Sequence, residues 1–424
     1  MSEDTRHSRL LARARDKRTG EWEAELADIR AARGDFPGLD YFLSLHAEGP
    51  SPEKIEERTG MPPVALLCLQ APIEIFLAQG FFPVKILGGS HGCANLTSPK
   101  LPALMCPTLK AVLGETELDP RLPRIPWVLP LTCDWMVKFK ETRALFGDFP
   151  GPVHLLEVPR LRESAETGDR WVREVSKLSG FLAKIGGKKL NAKNLSKAMG
   201  TMEEARKAQA ELAVLRRKGL VPARVHALIQ GAFFFDRAEN WTRSVNLVIG
   251  AVRKKAGNGD APNETGRENP VFLSGSPVFF PNFKILKLLE TAKLNVLADD
   301  LCSSERLFPR HVAVTDRTVE GMTRALADAY HRGCLCPVFA ENAHRASVIK
   351  EAQNEAGVRG VVFHLLKGCH PYDLDSFSLE EALRGWGLKF LKIETDYSAE
   401  DGQNLLTRLE AFRPTLNVEK RTAK

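Results

Sequence analysis

The sequence predicts an α/β protein with two doubly wound, parallel-sheet domains of the flavodoxin or Rossmann kind, a helical insert and a helical N-terminal segment. Three observations predict this fold. Two blocks of the chain alternate β-rich runs with helical patterns, a nearly all-helical stretch separates them, and a highly charged stretch precedes both. The predicted boundaries are residues 1–35, 36–165, 166–262 and 263–424.

The first block begins with a helical pattern and then alternates. Its strands are short apolar runs bounded by proline and glycine, and its helices repeat apolar residues every three or four positions. Strands that alternate with helices imply a parallel sheet covered on both faces. In order, the runs predict helix, strand, helix, strand and strand: "VALLCLQAPIEIFLAQG", "FFPVKILGG", "PTLKAVLGE", "PWVLPLT" and "VHLLEVP".

The helical insert and the second block follow. The insert contains "TMEEARKAQAELAVLRRKG", rich in alanine, leucine and paired charges, and a turn-rich linker, "AGNGDAPNETGREN", ends it. The second block again predicts a parallel sheet. Its predicted strands are "PVFLSGSP", "LNVLADD", "VRGVVFHLLKG" and "LKFLKIETD", and its last helix begins near Asp401.

Composition excludes several classes of protein. The chain of 424 residues carries 60 Lys and Arg against 53 Asp and Glu, a net charge of +7. Its basic runs lack the interleaved aromatics of a nucleic-acid surface. The charged N-terminus has no secretory signal pattern, so we expect a cytoplasmic protein. The most apolar stretch is interrupted by polar residues, Pro72 and Gly80, so we expect no membrane span.

Eight cysteines are the most informative residues of the chain. Cytoplasmic thiols are kept reduced, so the roles left are core filler, nucleophile or metal ligand. Open α/β sheets bind ligands at the carboxyl ends of their strands. Cys133, Cys302 and Cys369 are predicted at such ends. Cys106 precedes a predicted helix, and the close pair Cys334 and Cys336 lies in a loop. This repeated placement predicts a shared inorganic ligand.

The spacing of the cysteines favours one kind of metal group. Zinc sites usually show two close pairs of ligands, whereas this chain has one, the C-x-C of Cys334 and Cys336. Iron–sulfur cubanes accept thiolates from widely separated loops, so iron–sulfur is favoured. Burial as a small core residue is the alternative for every cysteine. We interpret Cys68, on the first helical run, as such a core residue. For Cys93, both a core role and a ligand role stay open.

Seven stretches carry a family resemblance over residues 36–417. In order they are "LPALMCPTLK", "LPLTCDWMVKFKE", "LSGSPVFFPN", "ADDLCSSER", "GCLCPVFAENAHR", "LKGCHPYDLDS" and "IETDYSAEDGQNLLTRLEAF". Together they resemble the 2-hydroxyacyl-CoA dehydratase and benzoyl-CoA reductase family. Within it, the resemblance is closest to the double-cubane-cluster reductases.

The resemblance implies a set of cluster ligands. Cys106, Cys133 and Cys369 match the three cysteines that hold one [4Fe-4S] cubane across the wider family. Cys302, Cys334 and Cys336 match the extra cysteines of the double-cubane branch. Two cubanes joined by a bridging sulfide form the [8Fe-9S] cluster of that branch. Cys93 is an alternative to one member of the close pair.

The resemblance also implies partners and further site residues. In this family a separate homodimeric ATPase with its own [4Fe-4S] cluster supplies the electrons, and this chain has no G-x4-G-K-[ST] phosphate loop. A homodimer, or a heterodimer with a family paralogue, and a small-molecule or acyl-CoA substrate are implied. His370, directly after Cys369, and His91, in "GGSHG", are the candidate catalytic residues, with a purely structural role as the alternative for each.

Three functional hypotheses follow. The first is an ATP-dependent, low-potential reductase of a small molecule with a double-cubane [8Fe-9S] cluster. The second is a subunit of a 2-hydroxyacyl-CoA dehydratase or aryl-CoA reductase with one [4Fe-4S] cluster. The third is an iron–sulfur electron-transfer or scaffold component without a substrate site of its own.

Overall fold

Two four-stranded parallel sheets organise the structure, a computed structural model that describes residues 3–34, 36–162, 164–257 and 267–417. This confirms the predicted α/β class. The strand order is β2-β1-β3-β4 in the first sheet and β6-β5-β7-β8 in the second, and every pairing is parallel. The strands are β1 (Pro63–Leu66), β2 (Phe82–Lys85), β3 (Trp127–Leu131), β4 (Val153–Glu157), β5 (Pro270–Gly275), β6 (Asn295–Asp299), β7 (Gly360–Leu366) and β8 (Lys389–Thr395).

Sixteen α-helices accompany the strands in the described part of the chain. Seven lie before the helical insert or between strands of the first sheet: α1 (Glu3–Arg33), α2 (Leu39–Glu48), α3 (Pro52–Thr59), α4 (Ile73–Gln79), α5 (His91–Thr97), α6 (Pro107–Leu118) and α7 (Asp134–Ala144). Four form the insert: α8 (Ala165–Lys184), α9 (Ala192–Arg217), α10 (Ala223–Gly231) and α11 (Ala238–Gly257). Five belong to the second block: α12 (Lys284–Thr291), α13 (Val319–Arg332), α14 (His344–Ala356), α15 (His370–Gly385) and α16 (Gly402–Phe412).

Each sheet has a topological switch point. The chain passes from β1 to β2 in one direction across the first sheet and then to β3 on the other side of β1. The second sheet repeats this with β5 between β6 and β7. Loops diverge at a switch point and leave a crevice outside the carboxyl ends of the strands. We call each sheet with its surrounding helices a lobe, so the fold offers one such crevice in each lobe.

Helix α9 of the insert connects the two lobes. Arg206 forms a buried ion pair with Glu74 of α4, beside the first sheet. Ten residues further along the same helix, Arg216 pairs with Asp299 at the end of β6, at 2.5 Å. Because α9 bonds to both lobes, it fixes the position of one sheet relative to the other and can serve as the wall of a cavity between them.

One predicted element is wrong. The run "VALLCLQAPIEIFLAQG" is divided between strand β1 and helix α4, and Cys68 lies in the turn after β1. Pro62 and Pro63 precede a short apolar run and Pro72 follows it, which is the pattern of a buried strand and then a new helix. Cys68 therefore occupies the carboxyl end of a strand, like Cys133, Cys302 and Cys369.

The other predicted strands are present at their predicted places, whereas the domain boundaries stay predictions. Most of the predicted linker, and the boundary at residue 262, lie outside the described residues. Among the helices of the described ranges, none combines the length and the apolarity needed to cross a bilayer.

Candidate functional site

A cavity of about 870 Å³ lies where the carboxyl ends of strands from both sheets meet. Its lining comes from the turn after β1, the end of β2 and the loop after β3 in the first lobe, and from the loops after β5, β6 and β7 in the second. Residues of α6, α7, α9, α13, α14 and α15 and the loop after α13 complete its walls. The cavity thus occupies the position at which doubly wound sheets bind ligands, and both lobes contribute to it.

Seven of the eight cysteines line this cavity, and all eight are free thiols. The cavity contains every cysteine predicted as a cluster ligand and one more, Cys68. Cys93 is absent from the lining; it is buried on α5 and donates a hydrogen bond from its thiol to Glu115. The seven thiols are Cys68, Cys106, Cys133, Cys302, Cys334, Cys336 and Cys369.

Three of the thiols form a first set, which consists of Cys106, Cys133 and Cys369. Each of them is the N-cap residue of a helix, α6, α7 and α15 respectively. The unpaired N–H groups and the positive dipole end of a helix favour negative charge at this position. Three helix N-termini therefore converge on the first set, an arrangement suited to an anionic group bound there.

The thiols of the first set interact with one another. A hydrogen bond with Cys369 lowers the pKa of Cys106 to about 7 and raises the pKa of Cys369 well above its usual value. Burial raises the pKa of Cys133 to about 11, and the nearby charge of Cys106 adds to this effect. These thiols thus share one electrostatic environment although they come from three separate loops.

The remaining thiols, Cys68, Cys302, Cys334 and Cys336, form a second set. A hydrogen bond with Cys336 lowers the pKa of Cys334 to about 6. Gln70 donates a further hydrogen bond from Nε2 to the Cys334 sulfur. Burial raises the pKa of Cys68 to about 12, and Cys302 is close enough for its charge to contribute. Each set contains cysteines from both lobes, so a group that uses every thiol of either set would bridge the lobes.

A close backbone contact assembles the first set. Gly368 adopts φ +75°, and a Cβ at this position would lie 1.8 Å from the carbonyl oxygen of Leu104. Trp135, two residues after Cys133, donates a hydrogen bond to the Gly368 carbonyl at 3.3 Å. The loops that carry the three cysteines therefore meet at Gly368, where no side chain fits.

Gly368→Ala is expected to destabilise the fold by about 1–3 kcal/mol, because the new methyl group is strained in this conformation and forces the Cys369 loop away from Leu104. Gly357→Ala is the matched control: Gly357 has φ +70°, but its Cβ would face open space. Denaturant unfolding of both variants separates the two contributions. Equal losses of stability would show that the close approach at Gly368 does not matter.

Two cations, one buried and one half-buried, face the second set of thiols. Lys85, the last residue of β2, is 3% exposed, and burial lowers its pKa. Arg306 donates hydrogen bonds to the Asp300 carbonyl and to the Tyr372 hydroxyl, while its Nη1 has no partner among the described residues. A buried donor without a partner is costly, and an anionic group in the cavity would satisfy it.

The cavity suits an extended group rather than a single ion. Among the described residues, no three His, Cys, Asp or Glu side chains converge on one point as the ligands of one metal ion do. The thiols instead spread over the walls of a large cavity, together with the unpartnered Nη1 of Arg306 and the buried ammonium of Lys85. A soft, anionic iron–sulfur group, which takes thiolates from different loops, fits this donor set.

The two predicted catalytic histidines lie outside the lining. His370 is the first residue of α15 and is exposed, although its neighbours Cys369 and Pro371 line the cavity. His91 begins α5, and burial together with the charge of Lys17 lowers its pKa. The structure does not bring either imidazole into the cavity, and their catalytic roles stay predictions.

Sequence reasoning missed several residues of the site. Cys68 could have been found from the prolines that bound its strand, since they place it at a strand end. Lys85 lies in the middle of the predicted strand "FFPVKILGG" and ends β2 in the structure, so a charged residue inside an apolar run was the available signal. Nothing in the sequence distinguishes Gln70, Arg306 or Tyr372 from other polar residues near strand ends.

Fold and site together define a two-lobed α/β protein with a thiol-lined cavity between doubly wound sheets. The chain belongs to the family described as 2-hydroxyglutaryl-CoA dehydratase, D-component, whose sequence profile matches residues 68–416. The predicted resemblance to the 2-hydroxyacyl-CoA dehydratases is thereby confirmed, while the double-cubane branch stays a prediction.

Three curated relatives cover nearly the same part of the chain. The putative dehydratase subunit YjiM of Escherichia coli is 26% identical over 84% of this chain and 92% of its own length. The (R)-phenyllactyl-CoA dehydratase beta subunit of Clostridium sporogenes is 24% identical over 85% of this chain and 93% of its own length. The beta subunit of (R)-2-hydroxyglutaryl-CoA dehydratase from Acidaminococcus fermentans is 24% identical, with 84% and 93% covered.

Proposed function

We propose that this protein is an iron–sulfur enzyme that holds a double-cubane [8Fe-9S] cluster in the thiol-lined cavity. On this proposal it receives electrons from a separate ATPase with its own [4Fe-4S] cluster and reduces a small molecule. The observation that carries the proposal is the convergence of seven cysteines, in two sets, on one cavity. A single cubane with three protein thiolates would leave the whole second set without a role.

The residues of each set have a defined task in this proposal. Cys106, Cys133 and Cys369 would hold one cubane, with helix N-termini compensating its negative charge. The second cubane would take three of the four thiols of the second set. Cys302 and the C-x-C pair are the ligands that the family resemblance implies, and the position of Cys68 makes it a candidate for any of these places.

The surroundings of the thiols suit low-potential chemistry. When bound, the cluster would supply strongly reducing electrons, because added negative charge in a site of low dielectric is unfavourable. Apolar side chains of both lobes, including Leu109, Met136 and Phe308, line the cavity and lower the dielectric around the thiols. Gln70, through its hydrogen bond to Cys334, would weaken the charge on that sulfur and orient it.

A second candidate function is a subunit of an acyl-CoA dehydratase with one [4Fe-4S] cluster on the first set. The names of two relatives favour it, since both are beta subunits of 2-hydroxyacyl-CoA dehydratases. This function requires a partner subunit and tight binding of a CoA thioester, which titration calorimetry would detect. The first proposal requires no such thioester.

Reduction that depends on ATP tests the proposed function. The isolated protein should hydrolyse no ATP, and a mild donor should leave the cluster oxidised. Addition of the cognate homodimeric ATPase with ATP should reduce the cluster, as seen by EPR, and permit turnover of a small reducible substrate; ADP in place of ATP is the control. Full reduction by a mild donor without ATP or a second protein would refute the proposed mechanism.

A further inference from the structure

Lys85 occupies an unusual position for a lysine. It ends a buried strand, lines the cavity on the side of the second set of thiols, and is almost completely shielded from solvent. Its ammonium nitrogen lies 4.5 Å from the centre of the Phe279 ring and 5.9 Å from that of Phe234. The two aromatic faces hold the ammonium group in place.

No anion in the described part of the chain balances this charge. The Lys85 ammonium forms neither a carboxylate ion pair nor a hydrogen bond there, whereas the buried arginines Arg206, Arg216 and Arg345 each have a carboxylate partner. Cation–π contacts only partly offset the loss of hydration of an ammonium group. The nearest ionisable groups other than Arg306 are the thiols of Cys302 and Cys68.

Arg306 approaches the same thiols from the second lobe. It is half-buried, and the charges of Cys302 and Cys334 act on it. Its Nη1, without a partner among the described residues, and the ammonium of Lys85 therefore place two side-chain cations beside the second set. The first set has helix N-termini instead, and its nearby lysine, Lys110, is occupied by a hydrogen bond to the Ala103 carbonyl at 3.0 Å.

We propose that the ammonium group of Lys85, assisted by Arg306, is a fixed counter-charge for an anionic metal–sulfur group on the second set of thiols and sets its reduction potential. This inference rests on the proposed function. A positive charge nearby stabilises the form with one more electron, so it makes reduction easier. Lys85 is thus a positioning and potential-setting residue, and its role does not require contact with substrate.

The test compares reduction potentials, so it needs no substrate and no partner protein. Anaerobically prepared wild type, Lys85→Gln and Lys85→Arg are titrated with titanium(III) citrate as the one-electron reductant, followed by EPR, after iron and sulfide analysis of each sample. Lys350→Gln is the matched control, because Lys350 also lies over an aromatic ring, Trp386 at 5.5 Å, but outside the cavity lining.

Lys85→Gln is expected to retain iron and to become about tenfold harder to reduce, which is a shift of about 59 mV to lower potential for a one-electron couple. Lys85→Arg and Lys350→Gln should stay near the wild-type potential. If Lys85→Gln loses its iron while Lys85→Arg keeps it, the charge is needed to hold the group, and the counter-charge role stands.

Two results overturn the inference. A potential of Lys85→Gln equal to that of wild type, with full iron content, shows that Lys85 is not a counter-charge, and it leaves the proposed function intact. Loss of iron from both Lys85→Gln and Lys85→Arg assigns Lys85 to packing instead. If the wild-type protein itself binds no iron, the proposed function fails, and this inference fails with it.

Discussion

The Cys302→Ala variant is expected to lose about half or more of its iron, from about eight atoms per chain in the anaerobically purified wild type. Cys302 lies three residues beyond β6, in the wall of the cavity and among the second set of thiols. Removal of its thiol takes a ligand from one half of the proposed cluster, so that half should be lost or separated from the other. The chain should stay folded, since Cys302 is only half-buried.

Iron and sulfide analysis with EPR measures this effect, and Cys93→Ala is the matched control. The Cys93 thiol is buried but outside the cavity lining, so its removal should leave the iron content unchanged. About four irons in the wild type would support the single-cubane dehydratase subunit. Zinc in place of iron would refute all three functional hypotheses, and full iron in Cys302→Ala would make that cysteine a packing residue.

Arg345→Met is expected to lower the free energy of unfolding by about 3–5 kcal/mol, because it leaves a buried carboxylate without its partner. Arg345 is 1% exposed and Asp300 is fully buried; the guanidinium Nε lies 2.5 Å from the Asp300 carboxylate. In the described residues, that carboxylate accepts side-chain hydrogen bonds from Arg345 alone. Arg345 also donates to Ser274 at 2.7 Å and to Asp375.

The ion pair also positions the site, since Asp300 lies two residues before Cys302. Denaturant unfolding of Arg345→Met, with iron analysis of the same sample, should show loss of both stability and cluster. Arg384→Ala, which breaks an exposed pair with Glu380 on α15, is the control and should stay close to wild type. A small effect of Arg345→Met would mean that Asp300 finds other donors and that the pair is not needed to hold the loop.

Much of the fold was predictable because its signals are local. Seven of the eight strands fall in runs whose β-rich composition and bounding turns are visible in the sequence, and the insert shows the long helical pattern. The exception, β1, has four residues and merges into an apolar stretch, where periodicity cannot separate a buried strand from a helix.

The position of Cys133, Cys302 and Cys369 at strand ends was likewise visible in the sequence, and parallel strands bring such ends to one edge. Their division into two sets was not. Cys106 and Cys369 share a hydrogen bond although Cys106 belongs to the first lobe and Cys369 to the second. No local sequence pattern shows how the two lobes are oriented relative to each other. The missing side chain at Gly368 and the helix α9, bonded to both lobes, decide that orientation.

The sequence by itself determined the α/β class, the two blocks and the cysteines worth testing, because periodicity, turn residues and strand-end placement depend on neighbours along the chain. Only the tertiary structure decided that Cys68 joins the cavity, that Cys93 does not, and that Lys85 and Arg306 face the second set of thiols. Those facts depend on contacts between side chains that are not sequence neighbours, such as Gln70 with Cys334 and Lys85 with Cys302, where burial and charge act through space and leave no periodic trace in the sequence.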